Sequence, residues 1–166
     1  MSEVNQYGPF FRSSRSEPGL RFVCTRCSAC CRFDAGYVWL SWSDLDRLRT
    51  GLNMSESDVI SRYCKVVDIS GIRQISLAEQ ENMDCVFWID GACSVYQHRP
   101  LQCRSFPFWA PYLGSREDWD DLETMCPGVN VGPVHSPDEI ESWMAKRRRE
   151  PPLDADTLSG GADNEG

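Results

Sequence analysis

Apolar residues recur at helical spacing in several stretches of this 166-residue chain. Leu45, Leu48 and Leu52 follow an i, i+3, i+7 stripe, with Ser43 before them as a cap, Asp46 three residues on and Gly51 as a stop. A second helix is predicted at once. Ser55 caps it, Asp58 sits three on, Met54 can staple to Val59, and Val59, Ile60 and Tyr63 face inward with Cys64 at the end of the apolar flank. Ser136-Pro137-Asp138-Glu139 is a strong start for a later helix whose stripe is Ile140, Trp143 and Met144. Pro100 opens one further helical turn, which carries Cys103 and Arg104.

Between these lie branched and aromatic runs that read as short strands. Residues 36–40 form one, and residues 66–69 and 72–77 flank Ser70-Gly71 as a hairpin. A second hairpin joins 85–89 to 92–96 through Asp90-Gly91, a dipeptide that tolerates the positive φ of a tight turn. A two-residue turn there pairs Ile89 with Ala92, Trp88 with Cys93 and Cys85 with Tyr96. That register puts Cys85 and Cys93 on opposite faces, whereas a bulged turn would reverse the parity. Residues 105–111 are apolar but broken by Pro107 and Pro111, which predicts an extended loop acting as a lid.

Together these elements predict a small, irregular α+β domain over residues 21–149, with short β-hairpins and three or four short helices. Residues 1–20 mix Gly, Pro, Ser and Arg without period, an irregular arm whose Phe10 and Phe11 can dock locally. Residues 150–166 begin at Pro151-Pro152, hold five of the 25 acidic residues and no Lys or Arg, and are poor in large apolar groups. They are expected to be disordered, as are the first residues of the arm.

Composition narrows the function classes. No run of about 18 apolar residues could span a bilayer, and no apolar core of a secretory signal is seen. A cytoplasmic protein without a membrane partner is expected. The net charge is −8, most of it in the tail, and no nucleic-acid partner is expected. The run Lys146-Arg147-Arg148-Arg149 suits a solvated helix end, where cations meet the macrodipole. No phosphate loop, serine triad or dinucleotide fingerprint occurs.

The nine cysteines set the chemistry. Four stand within residues 24–31, as Cys24, Cys27, Cys30 and Cys31. Three of them repeat every third residue, the rhythm of zinc and cluster ligands. Cys31 breaks that rhythm, and adjacent residues project differently, so Cys30 and Cys31 are expected to serve two centres or one larger cluster. Cys85, Cys93, Cys103 and Cys126 can complete the set. Cys64, on a helix flank, reads as a small buried hydrophobe. His98 and His135 are superfluous beside eight thiols. Arg26, Arg32, Arg99 and Arg104 adjoin ligand candidates and could offset thiolate charge, Arg99 and Arg104 as cofactor-binding residues.

The metal is zinc or iron as single ions, or an iron-sulfur cluster. The C-x-x-C-x-x-C rhythm with the remote Cys126-Pro127 favours a [4Fe-4S] centre, while zinc held by the same thiolates would be structural.

Cys24-x-x-Cys27-x-x-Cys30-Cys31, Cys85-x-Phe87-Trp88, Cys93-Ser94-Val95-Tyr96, Arg99-Pro100-x-x-Cys103-Arg104, Phe106-Pro107 and Cys126 together resemble the YkgJ-type CxxCxxCC cysteine-cluster family over about residues 21–145. The resemblance implies a zinc- or iron-chelating domain with Cys24, Cys27, Cys30, Cys31, Cys85, Cys93, Cys103 and Cys126 as ligands. Cys64 has no counterpart in the pattern. A related module occurs in the flagellin lysine methylase, where an iron-sulfur cluster is implicated. By that analogy the alternative is a protein-modifying enzyme, for example one transferring a methyl group to lysine, with its pocket under the 106–111 loop.

Overall fold

The computed structural model describes residues 9–12, 18–32 and 36–159. They form an α+β structure of six α-helices and three two-stranded antiparallel sheets. The chain divides into two compact units. One comprises Met1–Ala29 and Ser105–Arg148, the other Cys30–Arg104 and Arg149–Gly166. The division falls inside the cysteine run, between Ala29 and Cys30.

The first unit is built on a sheet that sequence periodicity does not announce. Strand β1 (Leu20–Phe22) pairs with the last strand, Val129–His135, numbered β6 in chain order. Register slips between Arg21, opposite Val134, and Phe22, opposite Val129. The residues looped out include Asn130 and Gly132, both with positive φ. Asn130 accepts from Trp119 Nε1 at 2.8 Å and donates to Asp120 at 2.8 Å, which anchors the bulge to helix α4 (Arg116–Asp121). Phe11, Leu20, Phe22, Phe108, Leu113, Trp119, Leu122, Cys126, Val129 and Ile140 form the core. Ile140 belongs to helix α5 (Pro137–Arg149), whose first turn is capped by Ser136 as expected. Phe11 docks into this core from the N-terminal arm, which Arg12 ties to Asp138 and Glu141. Residues 105–111 do not form a lid. Phe108 is 3 % exposed and stacks on Trp119, and Pro107, after a cis bond, is fully buried.

The second unit carries most of the predicted elements. Helix α1 (Trp42–Leu52) starts two residues earlier than expected, capped by Ser41 with Asp44 in a reciprocal capping box. It runs through Gly51 and ends on Asn53, in the left-handed region at φ 53°. Gly51 has another role: a Cβ there would lie 2.3 Å from His98 Cγ, so its hydrogen lets the His98 turn pack on the helix. Helix α2 (Glu56–Tyr63) has the predicted Ser55 cap. Strands β2 (Cys64–Ile69) and β3 (Ile72–Leu77) form the predicted hairpin, with Ser70 and Gly71 at φ 55° and 86°. Residues 36–40 run beside β3 without becoming a strand: Leu40 donates to Ile75, and Leu77 donates to Val38.

Strands β4 (Trp88–Ile89) and β5 (Ala92–Cys93) turn on Asp90-Gly91 with the expected Trp88–Cys93 register, but stop after two pairs. The chain turns at Val86 and Phe87, so Cys85 pairs with Glu79 instead of Tyr96. Cys85 and Cys93 are therefore not set on opposite faces of one hairpin. Helix α3 (Leu101–Ser105) follows Pro100.

The expectation of disorder from residue 150 needs correction as far as residue 159. Leu153 donates to Leu40 and accepts from Ile75, Asp154 bridges to Gln74, and helix α6 (Ala155–Ser159) follows. Leu153 and Ala155 are 2 % and 5 % exposed. One leucine and one alanine in a polar stretch find a sheet edge and an apolar slot that composition cannot reveal. Residues 160–166, 1–8 and 13–17 lie outside the described residues.

Candidate metal centre

Five of the predicted ligands gather in the second unit from three chain segments. Cys30 and Cys31 come from a single turn of 3-10 helix over Ala29–Cys31, Cys85 and Cys93 from the ends of the β4–β5 hairpin region, and Cys103 from α3. Backbone bonds set this convergence, since Cys85 N donates to Cys31 O at 2.8 Å. The helix carrying Cys103 is tied to α1 by Leu101 N, which donates to the buried Asp44 carboxylate at 2.6 Å.

The thiols feel one another. Cys30 and Cys31 sulfurs are 3.7 Å apart. Hydrogen bonding from Cys31, with a smaller pull from the Arg99 charge, lowers Cys30 to about 7. Cys31 moves strongly upward, because it donates that bond and is buried, with Cys103 and Cys85 adding like-charge repulsion. Cys85, Cys93 and Cys103 are raised by burial first, and the charge of Cys30 raises each further. Apolar burial disfavours an isolated thiolate, and a bound cation reverses that preference. The donor set therefore fits a soft metal. Among the described residues no three His, Cys, Asp or Glu side chains already stand around one point. The sulfurs share a region without being closed around an ion.

At 3.7 Å the Cys30 and Cys31 sulfurs are as close as two ligands of one ion need to be. A tetrahedral ion with metal–sulfur bonds of about 2.3 Å holds its sulfurs about 3.8 Å apart. The helical turn through Cys31 brings the two side chains to that spacing.

The remaining expected ligands belong to the first unit. Cys24 and Cys27 are exposed. They alternate with Arg26 and Ser28 at φ 57° and 66°, a left-handed backbone that favours glycine and here sharply turns the chain around Cys27. Cys126 is buried in the apolar core. Val23 N donates to Gly128 O at 3.1 Å, which brings the stretch before Cys24 beside the stretch after Cys126.

Arg99 stacks on the Tyr96 ring at 3.6 Å, and its charge reaches Cys30, Cys93 and Cys103. Arg104 donates to Arg99 O at 3.0 Å, and its charged neighbours are Arg47, Asp44, Glu150 and Arg99. Arg32 pairs with Asp84 and lies over Trp88. His135 spends both ring nitrogens, on Glu139 and on Phe22 O. Cys64 packs against the apolar core of the second unit, where burial pushes its thiol up to about 12. One neighbour of the thiols has no signal in the cysteine spacing. Glu79 faces Cys85 because the chain reverses over residues 80–84, closed by Gln80 N donating to Asp84 O at 2.8 Å.

A family model described as "CxxCxxCC: Putative zinc- or iron-chelating domain" matches residues 23–127, a span covering every predicted ligand. No solved structure matches the chain. No helix among the described residues is long and apolar enough to cross a membrane.

Proposed function

The chain belongs to the CxxCxxCC family of zinc- or iron-chelating domains, and from that premise we propose that Cys30, Cys31, Cys85, Cys93 and Cys103 are its metal-binding thiols. The observation that carries this reading is their convergence inside one unit from segments up to 73 residues apart in sequence, Cys30 to Cys103, with the Cys30 and Cys31 sulfurs 3.7 Å apart and Cys85 N bonded to Cys31 O. Four thiolates on a divalent ion leave two net negative charges, and Arg99 lowers the cost of burying them. Bound there, zinc would close a structural site, and iron would add redox chemistry.

Two observations divide the choice of metal. The Cys30–Cys31 spacing supports two thiolates on one ion, zinc or iron. The C-x-x-C-x-x-C rhythm and Cys126-Pro127 support a [4Fe-4S] cluster, in which each thiolate takes a different iron. The enzymatic alternative, placed by analogy in a pocket under residues 106–111, gains no support from that segment, whose Phe108 lies in the core. Anaerobic purification followed by elemental analysis and absorption spectroscopy tests the reading. Stoichiometric zinc in colourless protein supports single-ion chelation. Stoichiometric iron and sulfide with a broad visible band supports the cluster. Protein that retains neither metal and takes up neither overturns the proposal.

A further inference from the structure

We propose that Glu79 is an oxygen ligand of this metal centre, bound through its Oε1 atom. The inference rests on the thiolate reading above and extends it from sulfur alone to a mixed donor set. Three observations lead to it.

The first is placement. Glu79 and Cys85 form an isolated antiparallel bridge, flanked by Val86 N donating to Ala78 O at 3.0 Å and Gln80 N donating to Asp84 O at 2.8 Å. Bonds on both sides of the pair and none within it mark the closer kind of antiparallel pair, whose Cα atoms are about 4.5 Å apart with side chains on one face. The Glu79 carboxylate therefore shares a face with a predicted ligand sulfur.

The second is an orphaned atom. Glu79 Oε1 is buried and has no hydrogen-bond partner, a state that buried carboxylate oxygens do not keep without cost. A cation beside it would satisfy it.

The third is orientation. Lys65, on β2, pairs with the other oxygen, Oε2. Lys65 also lies over the Tyr37 ring at 5.2 Å. Ligating carboxylates are themselves held by an outer hydrogen bond, and Lys65 supplies that hold while leaving Oε1 available. A carboxylate oxygen beside thiolates is an ordinary zinc donor.

X-ray absorption at the zinc edge, on the full chain loaded anaerobically with zinc alone, tests this directly. The expected shell is sulfur at about 2.3 Å plus one oxygen at about 2.0–2.2 Å. Glu79→Gln should remove that oxygen and weaken zinc binding at least about tenfold, the range seen when a supporting group of a metal site is lost. An all-sulfur shell in the unaltered protein overturns the Glu79 assignment and leaves the thiolate reading standing. An oxygen that persists in Glu79→Gln does the same. A chain that takes up no zinc overturns the Glu79 assignment, and one that takes up neither zinc nor iron sinks the thiolate reading as well. The unaltered protein alone decides the matter should Glu79→Gln fail to fold.

Discussion

Cys30 and Cys64 carry the same thiol and differ in surroundings. Cys30 bonds to Cys31 and senses Arg99, whereas Cys64 is shifted by burial alone. Cys30→Ser should therefore weaken metal binding by more than about 100-fold, beyond the loss from an outer-sphere partner, while Cys64→Ser leaves affinity unchanged. Equal losses in a competition titration would contradict the ligand assignment. Proton linkage gives a second expectation. Cys31, Cys85, Cys93 and Cys103 all have raised pKa values, so they are protonated near neutrality and must release protons to bind metal. Affinity should rise with pH from 6 to 8, by about tenfold per unit for each proton released, and a flat profile would oppose it. The set of eight candidate thiols came from the family resemblance, and of them the C-x-x-C-x-x-C run alone was legible from spacing. Glu79 was not, because its place depends on a reversal of the chain that leaves no periodic trace.

The start of α1 shows where sequence reasoning stops at the level of elements. Ser41 and Ser43 each precede an aspartate by three residues, so both make equally good capping boxes locally. Asp44 prevails because its second oxygen also receives Leu101 N, a tertiary contact that the 3.6-residue period cannot encode. Strands β1 and β6 were missed for similar reasons: one is three residues long, and the other contains Asn130, Gly132 and Pro133. Turns were easier, since Ser70-Gly71 and Asp90-Gly91 specify their φ values locally. The packing of α1 on the His98 turn yields a prediction. Alanine at Gly51 would gain about 1 kcal/mol of helix propensity, yet its Cβ would meet His98 Cγ, and overpacking costs about 1–3 kcal/mol. Gly51→Ala should lower the urea midpoint, and adding His98→Ala should restore it. A stabilising Gly51→Ala would show that the ring is not held there.

Across the whole molecule, residues 150–159 close the core of the second unit. Leu153→Ala should cost about 2–5 kcal/mol, the range for emptying a buried leucine site, measured by urea denaturation of the metal-free protein. An unchanged midpoint would mean that this stretch does not pack. The α+β class and the family were readable from the chain. The interleaving of two units was not, because it depends on residues 105–148 joining the N-terminal segment. Metal-dependent alkylation, read by mass spectrometry on anaerobic protein with and without added zinc or iron, tests the central claim most directly. Cys30, Cys31, Cys85, Cys93 and Cys103 should become protected together as metal binds, with Cys64 unaffected. Labelling of those five that is the same with and without metal would contradict the account.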